Sequence, residues 1–226
     1  MIKNIYNLGD AALYCDFGNE VNKNINSNVI KYFKTLQKKN FKEIINLAPS
    51  YNKLIISFDL GTTNFNKIKD KILKLNNLEE DVKDLKKIKV PVCYDDEFSL
   101  DMKRIEDQLH LSKDEIIKLS LNKNYFCYMT GFVAGMPFLG DIEKKLRLNR
   151  LETPRVKVPK GSVGITEQFC NVYTFESPGG WNIIGNTPIS IFNKNNESNP
   201  ALINPGDKVT FYKITSKEYN NWDDKK

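Results

Sequence analysis

Residues suited to chemistry cluster in the second half of the chain, in three stretches rich in glycine and proline. They are residues 131–140 (GFVAGMPFLG), residues 150–162 (RLETPRVKVPKGS) and residues 176–181 (ESPGGW). Glycine and proline set special backbone angles, and glycine permits close approach of a ligand or of another chain. For any single glycine, a barrel corner or a bulge is the better interpretation. Taken together with their polar residues, the three stretches favour a site.

Charged groups within these stretches indicate what such a site would bind. Arg150 and Arg155 are two of the four arginines of the chain, and they precede the Gly161-Ser162 turn. Guanidinium groups beside such a turn suit the binding of carboxylate or phosphate. Glu176 places an acid next to the backbone amides of a Ser-Pro-Gly-Gly segment, and its alternative role is an ion pair with one of the two arginines. The first stretch is apolar enough to wall a pocket, and it lacks the Gly-Lys-Ser/Thr ending of a Walker loop.

The histidine and cysteine content excludes or disfavours several other chemistries. His110 is the one histidine of the chain, so a site with two histidine ligands cannot form within one chain, and a Ser-His-Asp triad would have to use His110 itself. His110 lies between two predicted helices, where we expect an exposed linker residue. Cys15, Cys93, Cys127 and Cys170 form no CxxC pair, which disfavours a zinc or redox motif. We expect reduced, mostly buried thiols and no tightly bound metal.

The net charge of +6 falls within the first half of the chain. Residues 1–89 contain 16 lysines, no arginine and 10 acidic residues, whereas the charges of residues 90–226 cancel. The lysines lie among acids on helix-like stretches, so we expect solvated helix faces rather than a nucleic-acid surface. No apolar stretch approaches the roughly 20 residues of a membrane span, and the first residues lack the apolar run of a signal peptide. We expect a cytoplasmic protein without a membrane segment.

The elements that must position these residues fall into two groups with different periodicities. In residues 1–86, apolar spacing predicts two strands, a helix, two strands and a second helix. The predicted ranges are Ile2–Leu8, Ala11–Phe17, Asn28–Lys38, Phe41–Leu47, Lys53–Phe58 and Phe65–Leu78. This order suggests a small α+β domain, ferredoxin-like or similar, with helices on one face of an antiparallel sheet. A charged segment near residues 81–89 marks its boundary.

Residues 87–226 show a different pattern. After an opening strand, a helix is predicted over Ser99–His110, and Ser112 with Glu115 forms a capping box that opens a second helix. From Tyr125 onward, short strand-like runs alternate with glycine and proline turns. Many short strands with frequent turns favour a closed or sandwiched all-β domain.

The three stretches resemble one known family, which comprises the B subunit of bacterial 5-oxoprolinase, the allophanate hydrolase subunit 1 proteins and the Kip-type sporulation-kinase inhibitors. The family pattern runs roughly GFxPGFPYLGG, RxxTPRxxVPxGSVGI, YPxESPGGWxLIGRTP and PGDxVxF. This chain has GFVAGMPFLGD, RLETPRVKVPKGSVGI, YTFESPGGWNIIGNTP and NPGDKVTFYKI in the same order. The segments LGDAALYCDFG and PSYNKLIISFD in the first half also resemble the family. The resemblance therefore covers essentially the whole chain.

The resemblance implies an α+β N-terminal domain, residues 1–86, followed by a cyclophilin-like all-β barrel domain, residues 87–226. It implies a subunit of an ATP-dependent amidohydrolase, most closely one that opens the lactam of 5-oxoproline to glutamate with ATP and Mg²⁺. The implied partners are a second barrel subunit, like the C subunit of 5-oxoprolinase or allophanate hydrolase subunit 2, and a third, A-type subunit. Arg155 and Glu176 are then the predicted catalytic residues. The residues predicted to bind substrate or nucleotide are Arg150, Lys157, Gly161, Ser162, Ser177, Gly179, Gly180, Gly131, Phe132 and Pro137.

The chain departs from the family pattern at four places. Ser120 stands where an LHT-type stretch has histidine, and Asn186 stands where arginine precedes Thr-Pro. The GGQTG loop of the family is EQFCN at residues 167–171, and GFxPG is GFVAG at residues 131–135. These changes keep two alternatives open: an allophanate hydrolase-type subunit with another substrate, and a non-catalytic Kip-like protein that binds a histidine kinase.

Overall fold

The computed structural model describes residues 1–75, 78 and 86–223. The chain divides into two compact units, Met1–Leu85 and Lys86–Lys226. An α+β unit comes first and a β-barrel unit second, which confirms the predicted fold class. The domain boundary predicted after residue 86 adjoins residues 79–85, which lie outside the described residues, so its position stays a prediction.

The first unit is a four-stranded antiparallel sheet with two helices. Its elements are β1 (Asn4–Asn7), β2 (Ala12–Asp16), α1 (Lys23–Lys39), β3 (Ile44–Pro49), β4 (Lys53–Phe58) and α2 (Phe65–Leu73), and the strand order is β1-β2-β4-β3. Alternate residues of β4, such as Leu54 and Ile56, are buried in one core with Val29 of α1 and Ile68 of α2. The element order is that of a ferredoxin-like β-α-β-β-α-β unit with its last strand moved to the front.

The helix boundaries of this unit differ from the predicted ones by a few residues. The Asn22 side chain accepts a hydrogen bond from the Ile25 backbone N–H, so α1 begins five residues before the predicted Asn28. Asparagine is among the residues that favour this capping position. The second helix ends at Leu73 rather than Leu78, and residues 76 and 77 of the predicted range lie outside the described residues. The start of α1 is therefore marked by the capping residue Asn22, which the prediction from apolar spacing did not use.

The described part of the second unit is a closed seven-stranded barrel with three α-helices, a short 3₁₀ helix (Lys144–Leu146) and a separate two-stranded ribbon. Its elements are β5 (Lys87–Cys93), α3 (Met102–Leu109), α4 (Lys113–Leu121), β6 (Tyr125–Thr130), β7 (Pro137–Gly140), β8 (Arg155–Val158), β9 (Ser162–Thr166), β10 (Phe169–Val172), β11 (Ser177–Gly179), β12 (Asn182–Asn186), β13 (Lys208–Ile214) and α5 (Ser216–Asn220). The barrel order is β10-β7-β6-β13-β5-β12-β9, and β8 pairs with β11. The β5–β13 pair is parallel, and the other pairs are antiparallel.

The barrel interior is filled by apolar side chains that alternate along each strand. Val163 and Ile165 of β9 and Cys170 and Val172 of β10 belong to this core. The residues between them, Gly164 and Asn171, therefore lie on the outer face of the barrel wall. That outer face is where the glycine-rich stretches gather.

All four cysteines are free and buried, as predicted. Burial raises the pKa of the Cys15 thiol to about 12 and holds the pKa values of Cys127 and Cys170 far above the ordinary range. Since the thiolate is the reactive form, these cysteines behave as small apolar core residues.

Candidate functional site

The structure brings the three glycine-rich stretches together. In the β8–β11 ribbon, Ser177 pairs with Val158 and Gly179 pairs with Arg155, so the second and third stretches are neighbours. The loop before β7 joins them, because the Thr174 hydroxyl donates a hydrogen bond to the Ala134 carbonyl over 2.8 Å. A small apolar cluster of Met136, Val158, Tyr173 and Ile183 packs where they meet, with Val133 against it.

Arg155 binds a carboxylate within the chain itself. Its Nη1 and Nη2 atoms donate to Asp101 Oδ2 and Oδ1 over 3.0 and 2.6 Å. Asp101 is 4% exposed and stands immediately before α3, and its Oδ2 also accepts the Ile183 N–H of β12 over 2.7 Å. This charged, bidentate contact ties the start of α3 to the ribbon and to the barrel wall. The described structure therefore gives Arg155 a positioning role, and its predicted catalytic role stays a prediction.

Glu176 pairs with Lys157 across the ribbon. The Lys157 Nζ lies 3.0 Å from Glu176 Oε1, and the two side chains are 74% and 57% exposed. The ion pair with an arginine that the sequence allowed for Glu176 is therefore wrong. The sequence analysis did not select Asp101, which lies 54 positions before Arg155. The one local feature of Asp101 is that it precedes a helix, and this feature does not indicate a partner so distant in sequence. Glu176 and Lys157 are solvent-accessible, and their predicted site roles stay predictions.

Glycines at the end of the ribbon let two polar side chains approach the backbone closely. A Cβ atom at Gly179 would lie 2.1 Å from the Tyr173 hydroxyl, and one at Gly180 would lie 3.1 Å from Nε and Nη2 of Arg150. A side chain at Gly179 would displace the Tyr173 hydroxyl, and one at Gly180 would require a small shift of the Arg150 guanidinium. Arg150 is exposed, and it makes no ion pair with a described residue. Of the two motif arginines, Arg150 is therefore the one whose guanidinium is available to an anionic ligand.

Tyr173 is a buried phenol at the centre of this arrangement. Burial raises its pKa, and the nearby Asn171 amide, the Trp181 backbone and the positive charges of Arg150 and Arg155 oppose that shift. Sequence reasoning did not select Tyr173, because an aromatic residue in a strand-like run is usually a core residue. Its hydroxyl lies against glycine backbone beside two guanidinium groups, which suits contact with an anion or a carbonyl oxygen.

The amides of the Gly161-Ser162 turn are used within the chain. Gly161 has a φ of +82°, its N–H donates to the Tyr173 carbonyl, and the Ser162 N–H donates to Pro159. Their predicted role as ligand-binding amides stays a prediction, and the structure shows them shaping the turn.

The first stretch contains a strained residue. Phe132 has a φ of +69° and its side chain is 68% exposed. A positive φ is rare for a bulky residue and recurs at functional sites. In the same loop, the Gly131 N–H donates a hydrogen bond to the Met136 carbonyl. Pro137 is the first residue of β7 and pairs with Thr130 of β6.

Asn171 is a further polar residue that sequence reasoning did not select. It lies in β10 and is 1% exposed, and neither Nδ2 nor Oδ1 has a partner at hydrogen-bond geometry among the described residues, although the Tyr173 hydroxyl is nearby. Buried amides are nearly always hydrogen-bonded. The sequence feature that could have drawn attention to Asn171 is its position in the EQFCN segment, which differs from the family pattern.

Two residues that differ from the family pattern, Ser120 and Asn186, have defined surroundings in the structure. Ser120 is fully buried with Tyr94 and Tyr125, whose hydroxyl donates to the Ser120 carbonyl over 2.9 Å. Asn186 accepts a hydrogen bond from the Tyr219 hydroxyl of α5 over 2.9 Å and donates to the Lys160 carbonyl. Both residues have defined structural partners.

Outside the three stretches, the described chain was predicted to have an exposed histidine and no metal site or membrane segment. His110 ends α3 in a left-handed conformation and is exposed, as expected for a linker. Within residues 1–75, 78 and 86–223, no group of three or more His, Cys, Asp or Glu side chains is arranged to hold a metal ion. No helix in that part of the chain has the length and apolar character needed to cross a membrane. A groove of about 430 Å³ beside β13 and α5 contains none of the predicted site residues.

The chain is similar to known proteins in family, in sequence and in structure. The family "Carboxyltransferase domain, subdomain C and D" matches residues 3–203. The chain is 33% identical over 228 residues to the B subunit of 5-oxoprolinase from Bacillus subtilis, covering 96% of this chain and 95% of that protein. It is 27% identical over 115 residues to "Putative urea carboxylase" of Emericella nidulans, covering 48% of this chain and 9% of that protein.

A solved structure extends this likeness. The crystal structure of TTHA0988 superposes with a TM-score of 0.82 at 26% identity, over 91% of this chain and 40% of that one. The same unit thus occurs both as a chain of similar length and as a minor part of longer chains.

Proposed function

Because this chain belongs to the carboxyltransferase-domain family, subdomains C and D, we propose that it is a subunit of an ATP-dependent amidohydrolase, specifically the B subunit of a 5-oxoprolinase. The observation that carries the proposal is the 33% identity to the Bacillus subtilis protein of that name over nearly the full length of both chains. The proposed reaction converts 5-oxoproline, ATP and water to glutamate, ADP and phosphate in the cytoplasm.

The chemistry of the substrate explains why cations belong at the site. A lactam carbonyl is a weak electrophile, so transfer of a phosphoryl group from ATP to its oxygen would activate it for attack by water. Developing negative charge is stabilised by positioned cations. Of the two motif arginines, Arg150 fits this role better, because Arg155 is bonded to the buried Asp101. Any Mg²⁺ would arrive with ATP and be held largely by its phosphates.

The proposed partners are a second barrel subunit and a third, A-type subunit. The name of the Bacillus subtilis relative supports this, because a B subunit implies a complex with other subunits.

The proposal is tested by reconstitution. The chain is combined with candidate second-barrel and A-type subunits, and release of ADP, phosphate and glutamate from 5-oxoproline is measured, with each subunit omitted in turn. Arg150→Ala should reduce turnover roughly ten- to a hundred-fold, as expected for one lost charged hydrogen bond of about 1.5–3 kcal/mol. Arg147→Ala, at an exposed arginine three residues earlier, is the matched control. Turnover by the isolated chain, or none by the complete complex, contradicts the proposal.

The urea carboxylase relative favours a second candidate, an allophanate hydrolase-type subunit. The same reconstituted complex is therefore assayed with allophanate and with urea plus bicarbonate. Turnover of these compounds in place of 5-oxoproline would select this candidate. Absence of turnover with all three, together with binding of a histidine kinase, would select the Kip-like alternative.

A further inference from the structure

Arg104 is an arginine outside the three glycine-rich stretches whose side chain meets the third of them. It lies in α3 and is half-buried, and its Nη1 donates a hydrogen bond to Asn182 Oδ1. Asn182 is fully buried at the start of β12, and its Nδ2 donates to the carbonyls of Asn149 and Ile165 over 3.0 and 3.1 Å. Because two backbone carbonyls anchor this amide, its oxygen holds the Arg104 guanidinium in a defined place.

A neutral amide holds Arg104 without cancelling its charge, whereas a carboxylate holds Arg155. Arg104 makes no ion pair with any residue that the structure describes. The acidic residues nearest to it in sequence are bonded to other groups: Asp101 to Arg155, Glu106 to the Lys113 N–H over 2.9 Å, and Asp107 to Lys103 Nζ over 2.8 Å. A cation that is partly removed from water and has no counter-charge is costly. An anion from outside the chain would therefore be stabilised at this position.

The Asn182 amide also connects Arg104 to Arg150. The Asn149 carbonyl that it binds belongs to the peptide bond between Asn149 and Arg150. The Arg150 guanidinium in turn lies against the backbone of Gly180, so residues 180–182 have one arginine at each end. Arg150 is exposed and Arg104 is half-buried, so both side chains are accessible from solvent. Neither has a carboxylate partner in the described part of the chain, and the two positive charges remain for a ligand.

We propose that Arg104 and Arg150 together bind one oxyanion of the reacting molecules beside residues 180–182. A guanidinium presents a planar fork of N–H donors that matches the paired oxygens of a carboxylate or a phosphate. Among the described residues, Arg104 donates hydrogen bonds to Asn182 alone, which leaves its Nε and Nη2 hydrogens for the ligand. The assignment rests on the proposed function for the source of the oxyanion, which is the carboxylate of 5-oxoproline or a phosphate of ATP.

Thermal melts of the full chain test the binding directly, because an anion that binds the folded state raises the melting temperature with its concentration. The probes are inorganic phosphate, 5-oxoproline and 2-pyrrolidinone, which is the lactam without the carboxylate, with sodium chloride at matched ionic strength. Arg104→Gln removes the charge and keeps an N–H donor for Asn182. It should weaken the apparent affinity for phosphate or 5-oxoproline at least about ten-fold, as expected for a lost charged hydrogen bond. Arg104→Lys should recover part of that affinity, and 2-pyrrolidinone should stabilise no variant.

Two comparisons keep this experiment specific. Phosphate stabilises folded proteins in general, so the measure is the difference between wild type and variant, each taken relative to its own melting temperature without anion. Lys103→Gln is the matched control, because it removes a positive charge from the adjacent position of the same helix, where the lysine is paired with Asp107. Its anion affinity should equal that of the wild type. Equal affinities of Arg104→Gln and wild type for both phosphate and 5-oxoproline overturn the assignment.

The reconstituted complex identifies the source of the oxyanion. Arg104→Gln should raise one KM at least about ten-fold and leave the other unchanged: the KM for 5-oxoproline if the pair binds the carboxylate, or the KM for ATP if it binds a phosphate. Two unchanged KM values, or an equal rise in Lys103→Gln, overturn the assignment while leaving the proposed function intact. Conversely, Arg104-dependent anion binding by a chain whose complex fails to hydrolyse 5-oxoproline supports the arginine site and contradicts the proposed function.

Discussion

At the residue scale, Arg155 shows how a side chain suited to ligand chemistry can be used by the fold. Its bidentate contact holds a carboxylate that is 4% exposed. Arg155→Ala should lower the free energy of unfolding by about 1.5–3 kcal/mol, because the buried Asp101 loses two charged hydrogen bonds. We expect the lower half of this range, since the arginine is 29% exposed and Asp101 keeps its bond from Ile183. Urea unfolding of the full chain measures the change.

Lys157→Ala is the control for that experiment. Lys157 lies two residues further along the same strand, and its ion pair is exposed to solvent, so its loss should change stability by about 0.5 kcal/mol or less. Equal stability of the two variants would contradict the positioning role of Arg155. A ten-fold loss of turnover by Arg155→Ala beyond its effect on folding would restore the arginine as a ligand-binding residue.

Glu176 differs from Arg155, because its contacts within the chain contribute little to stability. Its one described ion pair is exposed, and such pairs contribute roughly 0–1 kcal/mol. Glu176→Gln keeps the shape and removes the charge, so the melting temperature should stay nearly unchanged. If Glu176 is catalytic, turnover of the reconstituted complex should fall strongly. Normal turnover would contradict a catalytic role for Glu176. Glu152→Gln, at an exposed acid of the second stretch, is the control variant.

At the element scale, the docking of α5 depends on tertiary contacts. A helix of five residues is not stable alone, and this one is held by the Tyr219 hydroxyl on Asn186 and by the Tyr219 ring 4.2 Å from that of Phe98. Tyr219→Phe keeps the ring contact and removes the hydrogen bond, so stability should fall by about 0.5–1.5 kcal/mol. Tyr212→Phe, at a partly exposed tyrosine of β13, should have no measurable effect. A loss that is equal in both variants would contradict the anchoring role.

The elements also show what the sequence could and could not predict. Apolar periodicity and the Ser112 capping box located the strands of the first unit and helix α4, because these signals are local. The pairing of Arg155 with Asp101 depends on packing between elements distant in sequence, and no spacing rule contains it. Asn171 has the sequence pattern of an ordinary alternating strand residue, and its position opposite Phe138 and Gly164 follows only from the strand register of the folded barrel.

At the scale of the whole molecule, the closed barrel restricts how partners associate. Closure leaves no unpaired strand edge in the barrel, so no partner can extend its sheet by adding a strand. Association through the barrel unit must use side chains of its outer face, its helices or the β8–β11 ribbon, whereas the open sheet of the first unit has the edge strands β1 and β3. The ribbon carries Val156 and the loop before β7 carries Phe132; both are exposed apolar residues, and both lie in the stretches that resemble the family.

The final prediction concerns the two units as folding units. The core of the first unit runs from Leu13 to Ile72 and that of the barrel unit from Val90 to Phe211, so the two cores share no residue. Each unit is also large enough to bury a core of its own. Residues 86–226 expressed alone should therefore unfold cooperatively in urea, with a midpoint that coincides with one transition of the full chain. Near-ultraviolet circular dichroism should be retained, because Tyr94, Tyr125 and Tyr128 are packed within the barrel unit. A fragment that binds a hydrophobic dye and lacks this signal would be a molten globule, and it would show that the barrel requires residues 1–85 to reach its packed state.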